Sequence, residues 1–332
     1  MPARLEDAPR RAFDPLSSEG MPSLPHDLTI LPAAVADRQR LLNWIYSDTF
    51  CSDGIDRGAR ELLDRHQRGQ LSLDNMLKAV SNGQTVAAAW GQVLAGRIGV
   101  IWPVRLMEGV STGVGVELLK AIDEGFERQG VVLPLSLPSD QLAGTSSLQQ
   151  DLLGMAGYQQ FATLLVMSTP ITDPTEELEG PLQFQSDPDQ VVLADILQQT
   201  EMESGDLPEI HRIRSAFDIL ATFEQEAAAA SRAWYVVSHE GMPVGCLLLA
   251  CQSSRGACSI QYMGLAPPFR GRGWGTNLVQ AALQWGRQQQ ANSLVLLVDS
   301  RNHKAIRLYE KCGLAIDREQ QFWMRAKDVR SS

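Results

Sequence analysis

The sequence lacks the features that define several large classes of protein. No run of about 18 apolar residues occurs, which excludes a hydrophobic helix that spans a membrane. The chain has five cysteines and no Cys-x-x-Cys pair, so we expect neither a disulfide framework nor a zinc site. Basic residues are in deficit, since 29 Lys and Arg against 39 Asp and Glu give a net charge of −10. A chain without a broad basic surface is not expected to bind nucleic acid.

Length and composition are those of an ordinary globular protein. Hydrophobic residues make up 44% and charged residues 20% of the 332 residues, a length typical of two domains. Residues 1–26 are rich in proline and charge, and no apolar segment follows Arg10 and Arg11, so we interpret them as a disordered tail and not as a signal peptide. We therefore expect a cytoplasmic protein whose thiols are free. These thiols belong to Cys51, Cys246, Cys251, Cys258 and Cys312.

The order of predicted helices and strands repeats once along the chain. We predict ordered units at 27–168 and 181–328, joined by a linker at 169–180 that is rich in proline and acidic residues. Equivalent positions lie at an offset of 160, falling to 156 after a longer loop in the first unit. The matched pairs are Gly113 and Gly273, Gly115 and Gly275, Leu118 and Leu278, Ala121 and Ala281, Leu152 and Leu308, and Gly157 and Gly313. Two copies of one α/β plan are expected.

The strongest local signal is the segment RGRGWG at 270–275, between a predicted strand and a long amphipathic helix. The glycines let the backbone turn tightly with its N–H groups facing inward, and a helix N-terminus favours negative charge. Arg270 and Arg272 add forked donors, so the segment suits a pyrophosphate. It lacks the Gly-Lys-Ser/Thr end of a Walker A loop, and its Gly-x-Gly-x-Gly spacing is not that of a dinucleotide fingerprint.

This segment resembles the R/Q-x-x-G-x-G/A acyl-CoA loop of the GNAT superfamily of N-acyltransferases. A second match runs from Asn302 through Ala305 and Tyr309 to Gly313, where Leu314 replaces the usual aromatic residue. The resemblance covers the second half, and the first half is similar to the same fold without its loop. It implies an α/β (α+β) fold with two tandem domains, each a mixed, mostly antiparallel sheet flanked by helices.

The resemblance also implies how acetyl-CoA is bound, as a co-substrate and without a metal. The strand before the loop would carry a bulge and splay from its neighbour, so that Met263 to Leu265 offer backbone groups to the pantetheine arm. The N–H near Leu265 would hold the thioester carbonyl, and Asn302 would contact the pantetheine. The pyrophosphate would be cradled by Arg270, Gly271, Arg272, Gly273, Trp274, Gly275 and Thr276, although Trp274 could also simply pack beside the loop.

The catalytic groups are less complete than in the family. Tyr309 would protonate the leaving thiolate or orient a water that does so. Many members place a Glu in the strand before the loop, where this chain has Gln261, which cannot accept a proton at neutral pH. The amine would then lose its proton to a water relay or to another group, and we select Glu203 from an acidic segment that also offers other candidates. Those candidates are Glu201, Asp206, Glu209 and His211.

We therefore predict an N-acetyltransferase that moves an acetyl group to a primary amine by direct attack on the thioester. Two other functions remain open: a non-catalytic acyl-CoA sensor and a scaffold of two degenerate domains. The first half has no arginine at its loop-equivalent positions 109–115, so we expect it to have lost catalysis and to buttress the second half or shape the acceptor cleft. The acceptor, a small molecule or a protein amine, and the oligomeric state are left open.

Overall fold

The structure is a computed structural model that describes residues 24–47, 52–138, 145–172, 180–227, 231–252 and 256–325. The strands are β1 (Thr29–Pro32), β2 (Met76–Ser81), β3 (Gln84–Leu94), β4 (Ile98–Ile101), β5 (Arg105–Leu106), β6 (Leu133–Ser136), β7 (Tyr158–Pro170), β8 (Gln183–Ser186), β9 (Ser231–His239), β10 (Met242–Gln252), β11 (Ala257–Leu265), β12 (Ser293–Asp299) and β13 (Ala315–Arg325). The helices are α1 (Val35–Ile45), α2 (Ser52–Gln67), α3 (Thr112–Arg128), α4 (Thr145–Met155), α5 (Gln190–Glu201), α6 (Ala216–Ala227), α7 (Trp274–Gln288) and α8 (His303–Lys311).

The strands form one continuous sheet in which the two halves exchange their last strands. The order is β1-β2-β3-β4-β6-β13-β7-β12-β11-β10-β9-β8, with β5 beside β3. The pairs β4–β6 and β11–β12 are parallel, and the other pairs are antiparallel. Strand β13 therefore separates β6 from β7 in the first half, while β7 lies between β12 and β13 in the second. The expected α/β class is confirmed, and this exchange joins the two sheets.

One helix–helix contact occurs at equivalent places in both halves. A Cβ added at Gly275 in α7 would lie 2.6 Å from Cδ2 of Leu308 in α8, and one added at Gly115 in α3 would lie 2.9 Å from Cδ2 of Leu152 in α4. Both distances are too short for an unshifted side chain, so glycine is what lets the two helices of each pair approach. The pairs are those matched in the sequence, which supports one plan used twice.

A buried charge ties the end of β13 to the first half. Arg325, the last residue of β13, pairs with Asp123 of α3 at 2.9 Å, and the Asp123 side chain is only 3% exposed. The hydroxyl of Tyr158, the first residue of β7, donates to the other carboxylate oxygen of Asp123 at 2.5 Å. A buried carboxylate is costly unless it is paired and hydrogen-bonded. This cluster therefore fixes the ends of both exchanged strands against α3.

Some expectations need correction or lie outside the described residues. The predicted linker begins at 169, but β7 continues to Pro170 and pairs with β12 up to that residue. Residues 1–23 of the predicted tail, 173–179 of the predicted linker, and Cys51 lie outside the described residues. The domain boundaries stay predictions.

The expectation of free thiols is wrong for one pair of cysteines. Cys251 and Cys258 form a disulfide between β10 and β11, where the two residues lie directly opposite each other. Sequence spacing alone did not reveal the pair, because it depends on the register of the two strands. Cys246 and Cys312 are free. No helix in the described ranges is long and apolar enough to cross a membrane.

Candidate active site

A wedge opens between β11 and β12 in the second half. The two strands pair in parallel only from Ala257 and Ser293 to Ile260 and Leu296. Beyond that point β11 pairs with β10 alone, and the β10–β11 register shifts so that Gln261 is the extra residue of a bulge. In the described part of the chain, the β11 edge that faces β12 therefore has no strand partner from 261 to 265. The bulge and the splay expected before the loop are both present.

The glycine-rich loop stands at the mouth of this wedge. Gly271 and Gly273 have φ angles of +76° and +81°, a left-handed conformation that other residues rarely adopt. Gly273 precedes the first residue of α7 and provides no side-chain cap. Among the described residues, the amides from 271 to 275 find no acceptor, whereas Thr276 donates to the carbonyl of Gly273. Unpaired amides at a helix N-terminus are donors suited to an anion such as a pyrophosphate.

The side chain of Arg270 bonds within the protein. Its Nε donates to the carbonyl of Leu265 at 2.8 Å. The two Nη atoms donate to carbonyls at the end of α5 and just beyond it, those of Thr200 at 3.0 Å, Met202 at 2.7 Å and Glu203 at 3.1 Å. Arg270 therefore ties the loop to α5 and to the end of β11. These bonds give the side chain a supporting role in the structure, and the contact of Arg270 with a phosphate stays a prediction.

Arg272 is the exposed cation of the loop. Its guanidinium lies 5.1 Å from the ring centre of Trp274 and 5.6 Å from that of Phe269, and the two rings stack. The ring of His239 contacts the other side of this group, 4.5 Å from Trp274. One Nη of Arg272 donates to the carbonyl of Pro268 at 3.3 Å. Packing against two rings limits the conformations of this long, exposed side chain. Trp274, itself buried, thus supports the loop and orients its cation.

Helix α8 follows the wedge and brings together three of the predicted site residues, Asn302, Thr276 and Tyr309. The Oδ1 atom of Asn302 caps α8 by accepting from the N–H of Ala305 at 3.3 Å. Thr276 hydrogen-bonds with the thiol of Cys312. Tyr309 is buried at 7% exposure, and burial, with a smaller contribution from the charge of Asp206, raises the pKa of its hydroxyl. A tyrosine with a raised pKa stays protonated at neutral pH, as a proton donor must.

The acidic segment forms a connected network beside the wedge. His211 Nδ1 lies 2.7 Å from Glu201 Oε1, and His211 Nε2 lies 2.9 Å from the carbonyl of Asp206. An Asp206 carboxylate oxygen accepts from the N–H of Asp299 at 2.7 Å, at the end of β12. Asp299 is fully buried and pairs with Arg301 at 2.6 Å. These residues join α5, the following loop and β12 at the open end of the wedge.

Two pKa shifts belong to this network. Burial is the largest influence on the Asp206 carboxyl, and it raises the pKa of that group. For His211, burial acts to lower the pKa, but the hydrogen bond and the charge of Glu201 outweigh it and the pKa is raised. A carboxylate with a raised pKa is a stronger base than an ordinary one.

The two other residues selected from the sequence are arranged differently. Glu203 is exposed in the loop after α5, where its φ is +54° and its carbonyl accepts from Arg270. Gln261 donates from Nε2 to the carbonyl of Phe223 in α6 at 3.3 Å. The loop follows β11 and Tyr309 lies in α8, which follows β12, while Glu203 lies in the loop after α5. The roles given to these residues stay predictions. The sequence named Asp206 and His211 among its alternatives but gave no signal that they are joined to Asp299.

The first half has an arginine bonded like Arg270, but a side chain caps the helix that corresponds to α7. Ser111 caps α3 by accepting from the N–H of Gly113, so a side chain takes a donor that is open in α7. Arg105, buried in β5, donates to the carbonyls of Trp44 and Ile45 at the end of α1. This repeats the bond of Arg270 to the end of α5. The sequence did not reveal the equivalence, because Arg105 precedes the loop-equivalent positions.

Comparisons with known proteins agree with this geometry. Residues 197–314 match the model of the acetyltransferase (GNAT) family. A mycothiol acetyltransferase of Corynebacterium aurimucosum is 34% identical over 67 residues, which are 20% of this chain and 22% of that protein. This chain therefore aligns with less than a quarter of that relative.

Solved structures share the fold over nearly the whole chain. A GCN5-related N-acetyltransferase from Sphaerobacter thermophilus superposes with a TM-score of 0.61 at 19% identity, covering 93% of this chain and 98% of that one. A tandem GNAT protein from the clavulanic acid biosynthesis pathway has a TM-score of 0.56 at 14% identity, covering 90% of this chain and 98% of that one. At these identities the likeness concerns the fold.

The matched segment contains the wedge, the glycine-rich loop and Tyr309, so the family model and the geometry identify the same part of the molecule. The likeness to the acetyltransferase (GNAT) family thus covers residues 197–314, little more than a third of the chain.

Proposed function

We propose that the second half transfers an acetyl group from acetyl-CoA to a primary amine by direct attack of the amine on the thioester. The observation that carries the proposal is the open wedge with unpaired loop amides at its mouth. In this proposal the pantetheine pairs with Met263 to Leu265, and Asn302 contacts the same arm. The loop holds the pyrophosphate through its amides and Arg272, while Arg270 holds the loop in place.

The proton steps are assigned to the residues beside the wedge. The attacking amine must be neutral, and it passes its proton through water to the acidic segment, where Glu203 is exposed and Asp206 has a raised pKa. Attack forms the amide bond and breaks the carbon–sulfur bond. Tyr309 then protonates the thiolate that leaves, directly or through a water. Gln261 orients the wall of the site, because its side-chain amide is a donor to Phe223.

The acceptor is proposed to be a small cationic amine. The match to a mycothiol acetyltransferase makes a small molecule the first class to test, and the net charge of −10 favours a cation. The test measures thiol release from acetyl-CoA with glucosamine, spermidine and a short peptide that has a free N-terminus. Tyr309→Phe should lower kcat at least tenfold while the Kd for CoA stays within about twofold.

Gln261 in place of a carboxylate supports one other function, an acyl-CoA sensor. Tight CoA binding without turnover of any amine would favour that function. Turnover that is the same in Tyr309→Phe as in the parent protein would contradict the role given to Tyr309.

A further inference from the structure

We propose that the turn between β3 and β4 of the first half positions the acceptor side of the site in the second half, and that Arg97 is its positioning residue. The turn consists of Ala95, Gly96 and Arg97. This inference rests on the proposed function, since it concerns the acceptor wall of the same wedge. It gives the first half, which lacks the basic loop, a role in the reaction.

The turn bonds to helix α6 through its backbone and its side chain. Both backbone polar groups of Ala95 bond to α6. Its carbonyl accepts from Thr222 Oγ1 at 2.9 Å, and its N–H donates to Gln225 Oε1 at 2.6 Å. The carbonyl of Gly96 accepts from Nε of Arg214 at 3.0 Å. These bonds hold α6, and Arg214 just before it, against the first half.

Arg97 adds a two-pronged ion pair to this contact. Its Nε and Nη2 donate to the two carboxylate oxygens of Asp218 at 3.1 and 2.7 Å. Such bidentate pairs are more directional than a single contact. The hydrogen bond from Arg97 is the main reason that the pKa of Asp218 is lowered, so the pair stays ionised at neutral pH. Asp218 also accepts from the N–H and the hydroxyl of Ser215, so one carboxylate joins the turn to the start of α6.

The backbone of the turn is unusual in a way that serves this contact. Gly96 and Arg97 have φ angles of +72° and +60°, and left-handed backbone is uncommon for an arginine. A Cβ at Gly96 would collide with the carbonyl oxygen of Asp218, so the close approach requires glycine. Strained backbone persists where its surroundings hold it, and here the surroundings belong to the other half of the chain.

Helix α6 in turn contacts the site. The carbonyl of Phe223 accepts from the side chain of Gln261, the bulged residue of β11, and Phe223 packs in the cluster that includes Tyr262. The loop that precedes α6 carries Asp206 and His211. Residues 207–227 therefore lie between the first-half turn and the wedge, and a shift of α6 would move the wall that the amine meets.

Hydrophobic contacts also join the segment before α6 to the first half. Ile210, in the loop before α6, belongs to a buried cluster with Ile98 and Leu133 of the first half, and Leu207 and Ile213 pack against that cluster. These apolar contacts stabilise the packing of the two halves, but they are not directional and do not fix one alignment. The hydrogen bonds and the ion pair of the turn fix the register of α6, because they require one alignment of donors and acceptors.

The test compares Arg97→Ala with Arg97→Lys in the full-length protein, using the panel amine that reacts fastest. Arg97→Ala should raise the KM for the amine about five- to tenfold, since a bidentate pair with one half-exposed partner is lost, and leave the Kd for CoA within twofold. Arg97→Lys keeps the charge without the fork and should be intermediate. Arg128→Ala, which removes an exposed pair with Glu124 in the same half, is the control and should match the parent.

Hydrogen exchange separates this inference from the proposed function. In Arg97→Ala, exchange should rise in residues 207–227 and stay unchanged in residues 270–288. If the parent protein transfers to no amine but this exchange pattern is seen, the acetyl-transfer proposal fails and the positioning of α6 stands. The inference is overturned if folded Arg97→Ala keeps the parent's KM and exchange, or if its KM and its Kd for CoA worsen together. If Arg97→Ala does not fold, the KM for the amine and the hydrogen exchange of Arg97→Lys test the inference in the same way.

Discussion

Arg270→Ala tests whether this side chain supports the loop or touches the ligand. The substitution removes four hydrogen bonds to backbone carbonyls, and those to Met202 and Glu203 are exposed, so water replaces them. The bonds to Leu265 and Thr200 are part-buried. At about 1–2 kcal/mol for each of these two charge-assisted bonds, the free energy of unfolding should fall by about 2–4 kcal/mol.

The measurement is denaturant unfolding together with titration of CoA, and Arg272→Ala is the matched control in the same loop. Arg272 is exposed and contacts two rings, so its loss should cost less than about 1 kcal/mol of unfolding free energy. Its loss should nevertheless weaken CoA about tenfold, which corresponds to about 1.4 kcal/mol. Suppose instead that Arg270→Ala keeps the parent's unfolding free energy and loses as much CoA affinity as Arg272→Ala. The supporting role of Arg270 would then be wrong.

Three further predictions concern stability. Glu201 raises the pKa of His211, so the ion pair stabilises the fold fully below the ordinary pKa of 6.5 and this contribution is lost as the pH rises through the folded-state pKa. The loss of unfolding free energy in His211→Gln should therefore be larger at pH 5.5 than at pH 9. Equal losses at the two pH values would contradict the ion pair. Arg325→Met should lower the unfolding free energy by about 3–5 kcal/mol, because the buried Asp123 carboxylate keeps its hydrogen bond from Tyr158 but loses the guanidinium that balances its charge, and a change below about 1 kcal/mol would count against the cluster. The denatured, unreduced protein should titrate two fewer thiols than the reduced one, because Cys251 and Cys258 are bonded to each other, and equal counts would contradict the disulfide.

Much of the candidate site follows from local sequence. The glycine-rich loop needs residues that adopt left-handed φ, and Gly271 and Gly273 adopt it, so the spacing was informative. Tyr309 is recognisable because it shares one short helix with Asn302. The bulge at Gln261 could be expected only through the family resemblance, because no residue type by itself requires a bulge in a strand.

Other parts depended on contacts between distant segments. The sequence marks Arg270 as a cation beside glycines, but three of the four carbonyls that it binds lie at the end of α5 or just beyond it, about 70 residues earlier in the chain. Charge alone does not tell whether a guanidinium faces solvent or backbone. The disulfide likewise depends on the register of β10 against β11.

By itself the sequence indicated a repeated α/β plan, the glycine-rich loop that begins α7, and the position of Tyr309. These depend on hydrophobic periodicity and on backbone preferences within a few residues. Only the tertiary structure decided that β7 and β13 are exchanged, that Asp206 meets Asp299, and that the turn at 95–97 holds α6. Each of these is a pairing of groups far apart in the chain, whose energy exists only once the two halves pack together.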